Sequence, residues 1–395
     1  LRQIATLRDA APTGNALTAS ALARARDAGI ADLDRRASAI FVERIVPALQ
    51  RQSAALAALQ PRADDRAGIW AKPDGEAYYA SALHSNTTAS YAPGELHQLG
   101  LAWVEELSAE IDQLLRAQGL ARGSVGERMA ALDRDPRFLK PDTEAGRQAI
   151  IDYASAHLDR IKGLLPRGFR VIPDRPVEVQ RISPAIQDGA PGAFYSASSD
   201  PAQTSTIFLN LRSVAENALW RIPTLLHHEG IPGHHFQDSV LSEAGGLSLF
   251  RRTVRFSAWT EGWALYAEQL ADEMGAFESD PFGRIGYLQG QLFRACRVVV
   301  DTGLHHARWT RQHAIDWMVA NAGEHRDAAE REIDRYCVYP GQACSFMVGK
   351  QQIVASREKA RQRLGARFDT RAYNDFILAS GPLPMQVLDG AVALA

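Results

Sequence analysis

The sequence predicts a mainly α-helical protein with a small β-sheet, and three observations carry that expectation. Apolar residues recur at helical spacing through most of the 395 residues. Runs suited to strands occur in only two places, 177–182 and 206–211, where β-branched and aromatic residues gather. Both runs lie just ahead of a histidine-rich stretch, His228-Glu229-Gly230-Ile231-Pro232-Gly233-His234-His235.

Taken in order, residues 17–59 are rich in Ala, Leu and Arg at helical spacing, interrupted by Gly29 and Pro47. The same pattern returns over 92–118, 144–164, 214–226, 281–307, 313–320 and 350–364. The two strand runs are separated by a Gly- and Ser-rich segment, 188–205. Glu261 opens a further stretch with an apolar stripe at Trp263, Leu265, Tyr266 and Leu270, which predicts a helix packed inside the domain. Proline and glycine are spread along the chain and no repeat of 20–50 residues recurs. The expected organisation is a helical region over 1–165 and a metal-binding region over 166–395, packed together as one large globular unit.

Composition narrows the class. The chain is 46% hydrophobic with a net charge of −2, enough to bury a large core. With 44 Lys and Arg against 46 Asp and Glu, it lacks the basic excess of a nucleic-acid binder. No apolar run is long enough to span a membrane. Cys296, Cys337 and Cys344 show no CxxC spacing, so neither a disulfide framework nor a thiolate metal site is expected. Leu1 in place of an initiator methionine points to a processed or truncated chain, leaving cytoplasmic and exported compartments both open. Oligomeric state is not legible.

The chemistry concentrates at His228–His235. In an uninterrupted HExxH helix two histidines one turn apart face one zinc, and the intervening glutamate lies beside the attacking water. Here the residue four after His228 is Pro232, which offers no ligand and disfavours a continuing helix. On an unbroken helix His234 would lie roughly 120° around the axis from His228, and His235 about 10 Å further along. A break at Pro232-Gly233 would swing His234 back, so His234 ranks above His235 as second ligand. Glu261 is the candidate third ligand, since an inward-facing carboxylate needs a counter-charge. A helix-start carboxylate stabilised by the helix dipole would look the same in sequence. Glu268, seven residues on, shares its face and suits a partner for a ligand histidine.

These residues, with Thr260-Glu261-Gly262-Trp263-Ala264-Leu265-Tyr266, the segment 297–305, Trp309-Thr310-Arg311, Arg335-Tyr336 and Pro340-Gly341-Gln342-Ala343, resemble the bacterial domain-of-unknown-function family 885. Its hallmark is HExxPGHH followed by EGWALY, and the similarity runs from about residue 65 to the end. The family is grouped with glutamate-zincin metallopeptidases. The resemblance therefore implies a zincin-like architecture, with one Zn2+, or another divalent metal, held by His228, His234 and Glu261. It implies Glu229 as the base that activates water for attack on an amide bond. Tyr373-Asn374-Asp375 departs from the family's Phe-His-Asp, so no histidine role carries over there.

Within the family-like segments, His305, Tyr336, Tyr339 and Arg335 are candidates to stabilise the oxyanion, Arg335 also to bind a substrate carboxylate or carbonyl. His305 follows Asp301 by one helical turn and is equally suited to a buried structural bond. In zincin-like proteins an edge strand pairs with an extended substrate, which assigns 207–211 as that edge and Asn210 as a substrate contact. Trp70, Tyr78 and Tyr79 are read as core or as one wall of a cleft. The expected function is hydrolysis of an amide bond in a peptide or peptide-like molecule. The alternatives are a zinc amidase on a specialised small molecule, or a non-catalytic binding protein that keeps the fold.

Overall fold

The computed structural model describes residues 1–15, 17–184, 186–187, 190–198, 203–244 and 246–394. Part of the Gly- and Ser-rich segment (188, 189 and 199–202) thus lies outside the described residues. The chain forms two compact units, Leu1–Asp65 with Ile182–Pro191, and Arg66–Arg181 with Gly192–Ala395. The first holds α1 (Arg2–Asp9), α2 (Ala19–Asp27), α3 (Leu33–Ile40) and α4 (Val46–Leu59), around Leu22, Ala25 and Phe41.

The second unit carries α5 (Gly75–Thr87), α6 (Pro93–Ala117), α7 (Val125–Leu132) and α8 (Glu144–Lys162). Three strands follow, β1 (Val177–Arg181), β2 (Ala193–Ser196) and β3 (Ser205–Leu209). The remaining helices are α9 (Ile222–Glu229), α10 (His234–Glu243), α11 (Leu249–Thr253), α12 (Ser257–Glu273), α13 (Pro281–His305), α14 (Arg311–Ala322), α15 (Arg326–Val338), α16 (Ser345–Leu364), α17 (Thr370–Ala379) and α18 (Met385–Leu394). No described helix is long and apolar enough to cross a membrane.

No boundary falls near residue 165. Ile161 and Leu165 share one hydrophobic cluster with Phe169, Phe236, Trp263 and Tyr266, so the chain packs continuously across the position where two regions were expected to meet. Each large side chain buried in such a cluster contributes roughly 1.5–3 kcal/mol. The expected helix over 214–226 begins only at Ile222. Asn217 donates to Asn210 O at 2.9 Å and to Ser213 O at 2.8 Å, holding the preceding residues in a turn. Pro223 then suits the first turn of α9, where a missing N–H costs nothing.

The sheet has the order β1-β3-β2, with β1 parallel and β2 antiparallel to β3. This corrects the expectation for 207–211: the strand 205–209 is central, bonded on both sides, and cannot accept a further strand. The outer strand on the side of the metal motif is β2, four residues inside the Gly- and Ser-rich segment where no strand was expected. One face of the sheet packs on α8 and α9 through Val179, Ile207 and Leu209 against Ile150, Ala154, Leu158 and Leu226. The packing fixes the sheet directly behind the helix that ends at Glu229.

Two long helices complete the frame. α13 is buried along nearly its whole length, and α12 runs against α16. The α12–α16 approach depends on glycine: a Cβ on Gly349 would strike Ala258 O, and one on Gly262 would lie 2.6 Å from Gly349 Cα.

Candidate metal centre

α9 ends at Glu229, and α10 begins at His234. The four residues between them form a turn in which Gly230 N donates to Leu226 O at 2.9 Å and the Ile231–Pro232 peptide is cis. Gly233 permits the turn, because a Cβ there would collide with the carbonyl oxygens of His227 and His228. Trp263 Nε1 donates to Pro232 O at 3.0 Å and fastens the turn to α12. The expected break is therefore present, and it sets the His228 and His234 rings 5.0 Å apart, nearly perpendicular.

Glu261 completes the group. Its Oε2 lies 3.5 Å from His228 Nε2 and 3.3 Å from His234 Nε2, and one ligand atom from each of the three residues falls within 4.8 Å of the others. It lies in the second turn of α12, since the helix begins at Ser257, not at Glu261. A dipole-stabilised helix-start carboxylate is thus excluded. Glu268 faces the same way: its Oε1 accepts a hydrogen bond from His228 Nδ1 at 2.7 Å. Its Oε2 accepts from Thr224 Oγ1 at 2.9 Å and Gln291 Nε2 at 3.2 Å. With Nδ1–H bonded to Glu268, Nε2 of His228 presents its lone pair toward His234 and Glu261 when the ring is neutral.

The electrostatics couple these groups to one another. Burial opposes a charge on His228, but the Glu261 and Glu268 carboxylates outweigh it and hold its pKa up to about 9. Burial would likewise raise Glu261, yet hydrogen bonds from His228 and His234 keep it well below the usual carboxylate range. Two imidazoles and a carboxylate aimed at one point suit a single divalent cation of zinc type.

His235 is turned elsewhere. Its Nδ1 meets Tyr195 Oη at 3.3 Å and its Nε2 meets Arg175 O at 3.1 Å, and burial pushes its pKa down to about 4. Glu229 accepts from the backbone N–H of Tyr195, on β2, at 3.0 Å. Asn210 N donates to Gly192 O at 2.8 Å, so even-numbered residues of β2 pair inward and Ala193 and Tyr195 turn their peptide groups outward.

The other expected residues have partners of their own. His305 is buried with both ring nitrogens engaged, Nδ1 accepting from Ile69 N at 3.0 Å and Nε2 donating to Tyr336 O at 3.0 Å. Asp301, its neighbour one turn back, instead accepts from Tyr79 Oη and Gly341 N. The Tyr336 hydroxyl donates to Glu332 at 2.6 Å inside the core. Tyr339 caps α15 and is 53% exposed. Asn210 serves its own loop, its Oδ1 accepting from Arg212 N at 3.2 Å. Of Trp70, Tyr78 and Tyr79, Tyr79 is core, Tyr78 is exposed, and Trp70 donates to Leu304 O. Arg335 lies within electrostatic reach of Glu261.

Sequence reasoning missed Tyr195, Thr224 and Gln291. Thr224 precedes His228 by four residues on the same helix face, which is a usable signal. Tyr195 contributes through its backbone, which residue type does not announce.

Fold and site together define a mainly helical protein with a small sheet and a cluster of two histidines and one carboxylate that could hold a metal ion, braced by an outer glutamate. The chain belongs to the bacterial family of unknown function DUF885, which matches residues 1–392. A crystal structure of a "putative lipoprotein" from Colwellia psychrerythraea is 39% identical with a TM-score of 0.89, covering 92% of this chain and 62% of that one. A "putative lipoprotein of unknown function" from Shewanella oneidensis is 20% identical with a TM-score of 0.72, covering 100% of this chain and 70% of that one, and shares the fold. The present chain thus spans 62% of the length of the Colwellia protein. No curated protein matches.

Proposed function

We propose that this chain is a metal-dependent hydrolase, with zinc the ion that fits, cleaving amide bonds in peptides or peptide-like molecules in the manner of the zincin metallopeptidases. The observation that carries the reading is the convergence of His228, His234 and Glu261 within 4.8 Å, with Glu229 one residue from the first ligand and outside the set. Zinc, when bound, supplies a Lewis acid that makes water nucleophilic near neutral pH.

The chain's own groups supply the rest. Glu268 fixes the His228 tautomer by accepting a hydrogen bond from Nδ1–H. The Tyr195 N–H orients Glu229 by bonding Oε2, and Oε1 takes a proton from the attacking water. As the C–N bond breaks, the hydroxyl stays on the acyl carbon and Glu229 passes that proton to the leaving amine nitrogen. The outer edge of β2 presents the Ala193 peptide group and the Tyr195 carbonyl beside this base, which suits an extended substrate lying along the strand. A compartment outside the cytoplasm accords with the lipoprotein descriptions of the similar structures.

The test is elemental analysis joined to a peptide-library assay. The expected result is one zinc per chain and turnover lost on chelation. Glu229→Gln should retain the metal while turnover falls by at least about a hundredfold, the scale of a positioned acid–base group. Well-folded protein that takes up no metal, or a Glu229→Gln variant as active as the parent, would remove the hydrolytic reading.

A further inference from the structure

Beside the metal centre lies a second group of charges that the hydrolytic chemistry does not use. Arg294 and Arg297 sit one turn apart on α13, and Arg335 projects from α15. Arg297 is only 4% exposed, yet no ion pair to it is found among the described residues. Its Nη2 reaches Gln342 Oε1 at 3.3 Å, and Arg335 Nη1 reaches the same oxygen at 3.1 Å. Two guanidinium groups thus converge on one neutral amide oxygen. Arg294 Nη1 makes a long 3.4 Å bond to Gly290 O, and the buried Nε atoms of Arg294 and Arg297 have no hydrogen-bond partner.

The carboxylate that pairs with this group, Glu332, is already taken by Arg335 and the Tyr336 hydroxyl at 2.6 Å each. The aromatic faces around Arg297, with its guanidinium carbon 3.9 Å from the Phe346 centroid and 5.4 Å from that of Tyr336, soften the burial without neutralising it. Desolvation and the neighbouring arginines lower the Arg297 pKa, as expected for a buried cation short of counter-charge. A buried arginine with unfilled donors is satisfied by an anion, and its planar fork matches a carboxylate.

The cluster adjoins the cation site. Phe346 lies under Arg297 and also runs parallel to the His228 ring, 6.1 Å between centroids. Arg294 acts electrostatically on His228, and Arg335 does so on Glu261. At roughly 3.5 Å per extended residue, a carboxylate held here would lie within one or two residues of a bond at the metal.

We infer that Arg294, Arg297 and Arg335 form a subsite for the free C-terminal carboxylate of the substrate, so that the chain acts on the end of a peptide and releases its last one or two residues. The inference rests on the hydrolytic reading, but its first test does not require turnover. The zinc-loaded Glu229→Gln protein is titrated with two fluorescently labelled tri-alanine peptides, one ending in a free carboxylate and one in an amide. The acid should bind at least about tenfold tighter, the scale of a charge-assisted bidentate contact. Arg335→Gln, at a half-exposed position, should erase most of that difference. If Arg335→Gln does not fold, the two peptides on the otherwise unaltered chain still decide. Equal binding of acid and amide, or binding of neither, overturns the subsite. A library assay on the active protein separates the two ideas: internal cleavage of amidated peptides would keep the hydrolase and remove the subsite, whereas acid preference without any turnover would do the reverse.

Discussion

Glu268 never touches the proposed cation, yet it decides which nitrogen of His228 can. Three hydrogen bonds fix its two oxygens, from His228, Thr224 and Gln291, and the carboxylate is 1% exposed. Glu268→Ala should weaken zinc binding about 10–100-fold while the protein stays folded, because the imidazole loses its orienting acceptor. Competition with a chromophoric chelator measures this directly, and unchanged affinity would detach Glu268 from the site. Much of this scale was legible in the chain. His228, Glu229 and Glu261 announce themselves by type and spacing, and the seven-residue step to Glu268 predicts a shared face. What spacing could not reveal is occupancy. His305 follows Asp301 by one turn as a catalytic pair would, but its two nitrogens are consumed by Ile69 and Tyr336, partners 236 and 31 residues away.

At the scale of elements, the break between α9 and α10 and the crossing of α12 on α16 place the candidate ligands. Gly349 has no room for a methyl group against Ala258 O. Gly349→Ala should therefore cost about 1–3 kcal/mol from overpacking and, by moving Glu261, weaken metal binding as well. Denaturant melts with and without zinc would show it. A variant of full stability would mean that the helices separate easily. Pro232 by its residue type alone signals the helix break, since its ring and missing N–H oppose a continuing turn. By contrast, β2 hid in a Gly- and Ser-rich segment, and 206–211, the stronger strand pattern, became the centre of the sheet. Hydrophobic alternation identifies a strand that is buried; it does not say which strand is outermost, since that depends on a partner far along the chain.

For the whole second unit, an ion network joins distant segments. Asp133 accepts from Arg221 and from Trp220 Nε1, and Arg221 also pairs with Glu324. Burial alone would raise the Asp133 pKa, but Arg221 and His325 outweigh it and the group lies below its ordinary value. A carboxyl depressed in the folded state stabilises fully above its unfolded pKa, near 4, and the contribution is lost as pH falls through the folded value. Acid unfolding should thus steepen below about pH 4, and Asp133→Asn should flatten that limb. Asp133→Ala should cost about 1–3 kcal/mol at neutral pH, because Arg221 keeps only Glu324 and the Trp220 Nε1 donor loses its acceptor. Thermal melts across pH 2–7 test both. An Asp133→Asn protein with the parent's acid limb would assign the limb to other groups. None of this network was legible in sequence, because Asp133, Arg221 and Glu324 meet only once three separate helical segments have packed.

The tryptophan bond to Pro232 places a further demand on α12. That helix carries one candidate ligand, steadies a second by way of Glu268, and pins the loop that leads to the third. The coordinating trio therefore cannot be adjusted one member at a time, and an attempt to transplant the paired histidines into another scaffold would have to carry residues 257–273 with them.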